Sequence, residues 1–266
     1  MSSAAVRRVA GAAHDEGALP LVLLHAFPLD SRMWEAAGAL VPGPRAVYVV
    51  DLPGSPRHAD ALPSPPSLDT AADLVAVALA DAGVTRAVVA GLSMGGYTAL
   101  ALLERHPSLV TGLGLVDTKS AADSAEAAAN RLARAQRLEQ SRTVDEVLPD
   151  VDSLLGETSR AARPAVREQV LRWVREQEPA GLAWSQRAMA ARPDRTALLR
   201  AFTGPVAVVV GDEDAVTPVA LAGQMAAAAG GAPLVVVRGA GHLSAVEDPA
   251  AVAAALADLA LRADAS

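Results

Sequence analysis

Residues 87–97 read Ala87-Val88-Val89-Ala90-Gly91-Leu92-Ser93-Met94-Gly95-Gly96-Tyr97. A short apolar run ends at glycine, a single serine follows, and two more glycines open an Ala/Leu-rich stretch. The run predicts a buried strand and the stretch after it a helix, so Gly-x-Ser-x-Gly falls on a sharp strand-to-helix turn. Gly91 and Gly95 lack the Cβ atoms that would collide across such a turn, and Gly96 lets the helix approach the sheet. Ser93 Oγ is thereby held at a helix N-terminus, where the helix dipole favours developing negative charge. The five-residue pattern also arises by chance in many proteins; its position between strand and helix is what favours a nucleophile.

Outward from this turn the same alternation repeats. Apolar runs at Leu21 to His25, Ala46 to Asp51, Ala87 to Gly91, Leu113 to Asp117, Val206 to Gly211 and Leu234 to Arg238 carry apolar side chains at successive positions, as strands covered on both faces do. Helical spacing falls between them at Ser31 to Leu40, Leu68 to Ala82, Met94 to Arg105, Pro218 to Ala229 and Pro249 to Arg262. Glu247-Asp248-Pro249 supplies the acidic residues and first-turn proline that suit a helix start. The fold class is therefore α/β, a mostly parallel sheet flanked by helices. From about Thr118 to Gly204 no strand candidate appears, and Pro149, Pro164, Pro179 and Pro193 divide an Ala/Arg/Glu/Gln-rich stretch into helical pieces. The expected organisation is a core of residues 1–117 and 205–266 with a helical lid inserted at 118–204.

Composition removes other classes of function. The 266 residues are 52% hydrophobic and carry a net charge of -7, which gives a core large enough to fold without staples and opposes a phosphate-binding surface. With no Cys, chemistry falls to Ser, His and carboxylates. Lys119 is the single lysine; the preference for Arg beside abundant Ala and Pro reads as genomic bias. No apolar run reaches the ~18 residues of a membrane span, and Gly17 to His25 is too short for a signal segment. The expectation is a cytoplasmic protein without nucleic-acid or membrane partners; nothing in the sequence fixes its oligomeric state.

A serine hydroxyl needs a general base, and that base a carboxylate to orient it. Of five histidines, His242 in Gly239-Ala240-Gly241-His242 has the right setting, a loop between the last strand and the final helix. His14 and His58 fall in unpatterned or loop segments, His106 ends the helix that Ser93 begins, and His25 ends the first strand. For the acid, Gly211-Asp212-Glu213-Asp214-Ala215-Val216-Thr217-Pro218 offers three competing carboxylates after a strand.

With these residues the chain resembles the α/β-hydrolase-fold superfamily, in the branch of small esterases, 3-oxoadipate enol-lactonase-like and cofactor-free haloperoxidase-like proteins. That family's order of nucleophile, acid and histidine matches Ser93, an Asp near 214, and His242. Its acid loop, Gly-x-x-Asp-x-x-x-Pro, selects Asp214, with Asp212 second; a minority of the fold uses the position of Asp117. The resemblance also implies an oxyanion hole from the N–H groups of Met94 and Phe27, the latter in Leu24-His25-Ala26-Phe27-Pro28. There Ala26 stands where the family usually has Gly, and His25 reads as a structural hydrogen-bonder. Asp51-Leu52-Pro53-Gly54 resembles a scaffold loop of the fold.

The resemblance implies acyl transfer to water without metal or organic cofactor. A small ester or lactone ranks first as substrate, a carbon–carbon bond hydrolase or a perhydrolase/haloperoxidase-like enzyme second, and a non-catalytic ligand receptor of the same fold third. Aromatic residues make up only 3% of the chain, yet His25, Trp34, Tyr97 and Trp184 are candidates for the pocket wall, which with Phe27 predicts a small apolar site. Arg131, Arg134 and Arg137 read as a solvated helix face, with carboxylate binding as the alternative.

Overall fold

The computed structural model describes residues 5–11, 17–56 and 62–266; His14, Arg57 and His58 lie outside them. Seven strands, β1 (Ala5–Ala10), β2 (Leu21–Leu24), β3 (Val47–Asp51), β4 (Ala87–Leu92), β5 (Val110–Val116), β6 (Val206–Gly211) and β7 (Leu234–Val237), form one sheet in the order β1-β3-β2-β4-β5-β6-β7. Strands β2 to β7 run parallel, and β1 pairs antiparallel with β3 at the edge.

Helices cover both faces, as successive apolar positions require. On one face α1 (Glu35–Ala39) and α12 (Pro249–Asp264) pack on Leu21, Leu23, Val47, Val49, Val88 and Val209. On the other, α2 (Leu68–Asp81), α3 (Met94–Arg105) and α10 (Val219–Ala228) pack on Val22, Leu24, Val50, Val89 and Val208. Odd and even residues of one strand thus enter different cores. Asp248 caps α12 by accepting from Ala251 N–H, with Pro249 in the first turn.

Three elements differ from the sequence expectation. β1 went unseen because Arg7 and Arg8 interrupt its apolar residues, as an edge strand tolerates. β7 is not covered on both faces: Leu234 and Val236 are 37% and 41% exposed, since it closes the opposite edge. Between His242 and α12 a further turn of helix, α11 (Ser244–Glu247), intervenes, too short to register as a period.

The strand registers align the carboxyl ends. Leu24 pairs with Gly91, Leu92 with Val116, Val116 with Val209 and Gly211 with Val237. The loops carrying Phe27, Ser93, Asp117, Asp214 and His242 therefore leave one edge of the sheet, where ligands of parallel α/β sheets bind. Between β5 and β6 lie α4 (Ala125–Ser141), α5 (Val151–Leu154), α6 (Glu157–Ala162), α7 (Pro164–Arg175), α8 (Pro179–Ala190) and α9 (Thr196–Ala201). Pro164 and Pro179 each occupy a first helical turn, where the missing N–H costs no intrahelical bond. No helix among the described residues is long and apolar enough to cross a membrane.

Candidate active site

Ser93 sits between β4 and α3 with φ 53° and ψ −111°, a conformation that side chains rarely adopt. Neighbouring bonds hold it there. Ser93 N–H donates to Val116 O at 3.0 Å, while Ser93 O accepts from Thr118 Oγ1 at 2.8 Å and from Gly96 N–H at 2.9 Å. A Cβ on Gly91 would overlap the Gly95 carbonyl across the turn, one on Gly95 the Leu24 carbonyl of β2, and one on Gly96 the Thr118 side chain. Gly95 thus serves the approach of α3 to the sheet as well as the turn.

His242 Nε2 lies 2.8 Å from Ser93 Oγ, and its Nδ1 lies 2.9 Å from Asp214 Oδ2. All three are buried, at 8, 2 and 5% exposure for Ser93, His242 and Asp214. An ionised Asp214 only accepts, so Nδ1 carries the hydrogen and Nε2 presents its lone pair to the serine hydroxyl. Asp214 Oδ1 accepts from the N–H groups of Val216 and Thr217 at 2.8 and 2.9 Å, and Oδ2 from Thr217 Oγ1 at 2.6 Å. Burial works to raise the Asp214 pKa, but the hydrogen bonds from His242 and Thr217 outweigh it and hold the carboxyl below its usual range.

The competing carboxylates turn elsewhere. Asp212 accepts from Gly239 N–H at 2.7 Å, and Glu213 binds Thr158. Asp117 is wholly buried and makes no hydrogen bond to His242. Its Oδ1 accepts from Gly211 N–H at 3.0 Å, and its Oδ2 from Ser244 N–H and Oγ at 3.0 and 2.6 Å. Burial, reinforced by the Asp214 charge, pushes the Asp117 carboxyl up to about 7 despite His242 and the Ser244 and Gly211 hydrogen bonds.

Phe27 and Met94 follow β2 and Ser93 respectively, and among the described residues neither N–H is donated to another group. Ser93, His242, Phe27 and Tyr97 line one cavity of about 280 Å³. Of the other pocket candidates, His25 is 2% exposed and lies outside that wall: its Nε2 accepts from Leu52 N–H and its Nδ1 donates to Ala26 O, both at 3.0 Å. Trp34 is fully buried among core residues. Trp184 turns to the segment before α2, donating to Pro63 O at 2.7 Å. Trp34 and Trp184 belong to the two core clusters on either face of the sheet. The cavity is not uniformly apolar either, because Arg131, Arg134, Asp150, Ser153 and Gln186 share it with Leu154, Met189 and Val216.

Sequence reasoning missed two supports. Thr217 orients Asp214, and its place just before Pro218 is the only sequence cue. Glu247, whose place before Pro249 suggests a helix-start acid, is instead 4% exposed and accepts from Gly241 N–H at 2.8 Å, Gly156 N–H at 2.9 Å and Ser159 Oγ. It ties the histidine loop to α6, a contact no local pattern encodes. Among the described residues no group of three or more His, Asp or Glu is placed to hold a metal ion.

Residues 21–255 match the alpha/beta hydrolase family. Over 248 residues the chain is 32% identical to 2-succinyl-6-hydroxy-2,4-cyclohexadiene-1-carboxylate synthase of Enterobacter sp. (strain 638), covering 90% of each chain. It is 28% identical over 240 residues to a pimeloyl-[acyl-carrier protein] methyl ester esterase of Neisseria meningitidis, covering 83% of this chain and 85% of the relative. A thermophilic esterase from Thermogutta terrifontis superposes with a TM-score of 0.91 at 31% identity, over 98% of this chain and 94% of that one.

Proposed function

The chain belongs to the alpha/beta hydrolase family, and from that premise we propose that it is a serine hydrolase cleaving a small carboxylic ester or lactone through an acyl-enzyme. The relatives' names give both a synthase and esterases, so the reaction has to be argued from the site. The observation that carries the reading is the unbroken contact chain Ser93–His242–Asp214 at 2.8 and 2.9 Å in the cavity that also holds Phe27 and Tyr97.

In the proposed reaction Ser93 Oγ attacks the carbonyl carbon as His242 Nε2 takes its proton. Asp214 keeps the imidazole in the tautomer that leaves Nε2 free and stabilises the imidazolium that forms. The N–H groups of Phe27 and Met94 donate to the oxyanion, the second aided by the N-terminus of α3. His242 returns the proton to the leaving alkoxide, and water repeats the sequence on the acyl-enzyme. The helical residues 118–204 act as a lid whose inner wall selects the acyl group.

Hydrolysis of p-nitrophenyl acetate, with and without a serine-directed phosphonate, tests this. Turnover abolished by the phosphonate, with the label on Ser93, is expected. No turnover and no labelling would sink the enzyme reading in favour of a ligand-binding protein of the same fold.

A further inference from the structure

Tyr97 stands one helical turn beyond the proposed nucleophile. Its N–H donates to Ser93 O at 3.2 Å, so the two residues share a face of α3, about 6 Å apart along its axis. Helical side chains lean toward the N-terminus, which brings the Tyr97 ring back toward Ser93, and both residues line the same cavity. The ring is held in place. The Arg192 guanidinium lies 3.9 Å from its centroid, and Asp123 accepts from both terminal nitrogens of that arginine at 2.7 Å.

The hydroxyl on this fixed ring is free. Tyr97 is 4% exposed, yet among the described residues its hydroxyl bonds no other group. Nor is it sealed into the core, as the unpartnered Trp34 Nε1 and Arg192 Nε are. A buried phenol usually finds a partner, and the space open to this one is the cavity. Burial pushes its pKa up despite the Arg192 charge, so the hydroxyl keeps its proton. Gln186 repeats the pattern on α8. It is 2% exposed and lines the same cavity; Arg131 Nη1 donates to its Oε1 at 3.3 Å, which leaves its NH₂ end without a partner among the described residues.

The two groups belong to one end of the cavity. Arg192, stacked on Tyr97, donates to Met189 O at 2.9 Å, and Met189 Sδ shares Arg131 Nη1 with Gln186. In the proposed reaction His242 protonates the leaving alcohol, so the alcohol lies beside His242 and the acyl group extends away from it, toward α3 and α8. A hydroxyl can donate or accept, but an amide NH₂ only donates, so an atom that satisfies both is an acceptor. Both groups are neutral, which suits an uncharged oxygen.

We infer that Tyr97 Oη and Gln186 Nε2 bind an uncharged carbonyl oxygen on the acyl chain, so that the preferred substrate is the ester of a short oxo acid. This deepens, and rests on, the serine-hydrolase reading. The rise of one helical turn from Ser93, about 6 Å, sets that oxygen on about the fourth carbon of the chain. The 280 Å³ cavity, at the small end for ligand sites, admits little beyond it. The bonds made and broken at Ser93 are those already described, and the second carbonyl keeps its own throughout.

The test compares p-nitrophenyl levulinate, which carries a ketone on the fourth carbon, with p-nitrophenyl pentanoate of equal chain length. The ratio of their kcat/KM values is measured in wild type, Tyr97→Phe and Gln186→Met, so that the intrinsic reactivities of the two esters cancel between proteins. Phe keeps the ring under Arg192 and removes only the hydroxyl. Each substitution should lower the ratio at least ~3-fold, chiefly through KM, a neutral hydrogen bond being worth roughly 2- to 10-fold and a remote contact binding ground and transition states alike. A ratio that Tyr97→Phe or Gln186→Met leaves at the wild-type value overturns the proposal. If the variants fail to fold, competition in the wild type decides: methyl levulinate should inhibit p-nitrophenyl acetate hydrolysis at a lower concentration than methyl pentanoate, and equal inhibition overturns it. Absence of turnover on both p-nitrophenyl esters together with an unlabelled Ser93 would instead remove the hydrolase reading beneath it.

Discussion

Replacing Asp117 by Asn should change how stability depends on pH, and the amount follows from its surroundings. The folded chain holds the Asp117 proton up to about pH 7, whereas an unfolded chain releases it near pH ~4. Between those values the folded state binds more protons, so raising the pH favours unfolding by about 1.4 kcal/mol per unit. From pH 5 to pH 8 this amounts to roughly 3 kcal/mol, nearly all of it gained by pH 7. Asp214 has the opposite sign: its folded pKa is lowered, so its contribution is present above the unfolded value and lost only as the pH falls further, leaving this window flat. Asn cannot ionise, but its amide satisfies only one side. If Oδ1 accepts from Gly211 N–H, the NH₂ group faces Ser244 N–H, and the flipped amide faces Gly211 N–H instead; one unpaired backbone donor costs roughly 1–3 kcal/mol at any pH. Equilibrium urea denaturation followed by tryptophan fluorescence should therefore find Asp117→Asn less stable than wild type at pH 5 and close to or above it at pH 8. A stability difference that stays constant across that range would refute the reasoning.

Asp214→Asn should lower kcat on the order of 10⁴ by allowing the wrong tautomer of His242, while Asp212→Asn, whose target bonds Gly239 N–H, should stay within a few-fold; the reverse order in steady-state kinetics would move the acid. Gly95→Ala should prevent soluble expression or sharply lower Tm because its Cβ meets the Leu24 carbonyl, whereas Gly223→Ala, with open space at that position of α10, should add up to about 1 kcal/mol of stability. Glu247→Ala should cost roughly 2–5 kcal/mol, since it leaves the Gly156 and Gly241 N–H groups buried without an acceptor, and should lower kcat by loosening the histidine loop; calorimetry and p-nitrophenyl acetate kinetics measure the two effects.

The parallel sheet was legible because its central strands are covered on both faces, which writes unbroken apolar runs such as Leu21 to Leu24 and Val206 to Val210 into the chain. The edges follow different rules: β1 keeps Arg7 and Arg8, and β7 exposes alternate residues, so neither carries the full signal. Ser93 and His242 could be read because each lies in a short loop fixed by neighbouring glycines and by the strand before it. The reading of Arg131, Arg134 and Arg137 as a solvated face holds for Arg137, 51% exposed in its side chain, but not for Arg131 and Arg134, which line the cavity, for a related reason. Period alone gives α4 a polar side but not what packs against it, and α8 together with Asp123 and Asp150 encloses that side. His25 and Trp34 follow the first core strand and Trp184 falls in the inserted helices, which suggests a pocket wall, but the orientation of His25 and Trp184 depends on partners as distant as Leu52 and Pro63.

The helices after β5 do not behave as one unit toward the site. Leu154 O accepts from His242 N–H at 2.9 Å, Gly156 and Gly241 share the Glu247 carboxylate, and Arg163 binds the carbonyls of Glu247 and Gly239. Residues 154–163 therefore cannot be displaced without breaking bonds that hold the histidine loop, and a shift there is felt at Ser93 Oγ. Helices α4 and α8 contribute Arg131, Arg134, Gln186 and Met189 to the same cavity, yet the polar bonds of these side chains run to one another and to Asp123, Glu146 and Asp150, not to the histidine loop. Substitutions on that wall can change which acyl group fits while the spacing of Ser93, His242 and Asp214 stays fixed, whereas equal changes in residues 154–163 act on the spacing itself. On the proposed reaction, one wall of the cavity would therefore set geometry and the other selectivity.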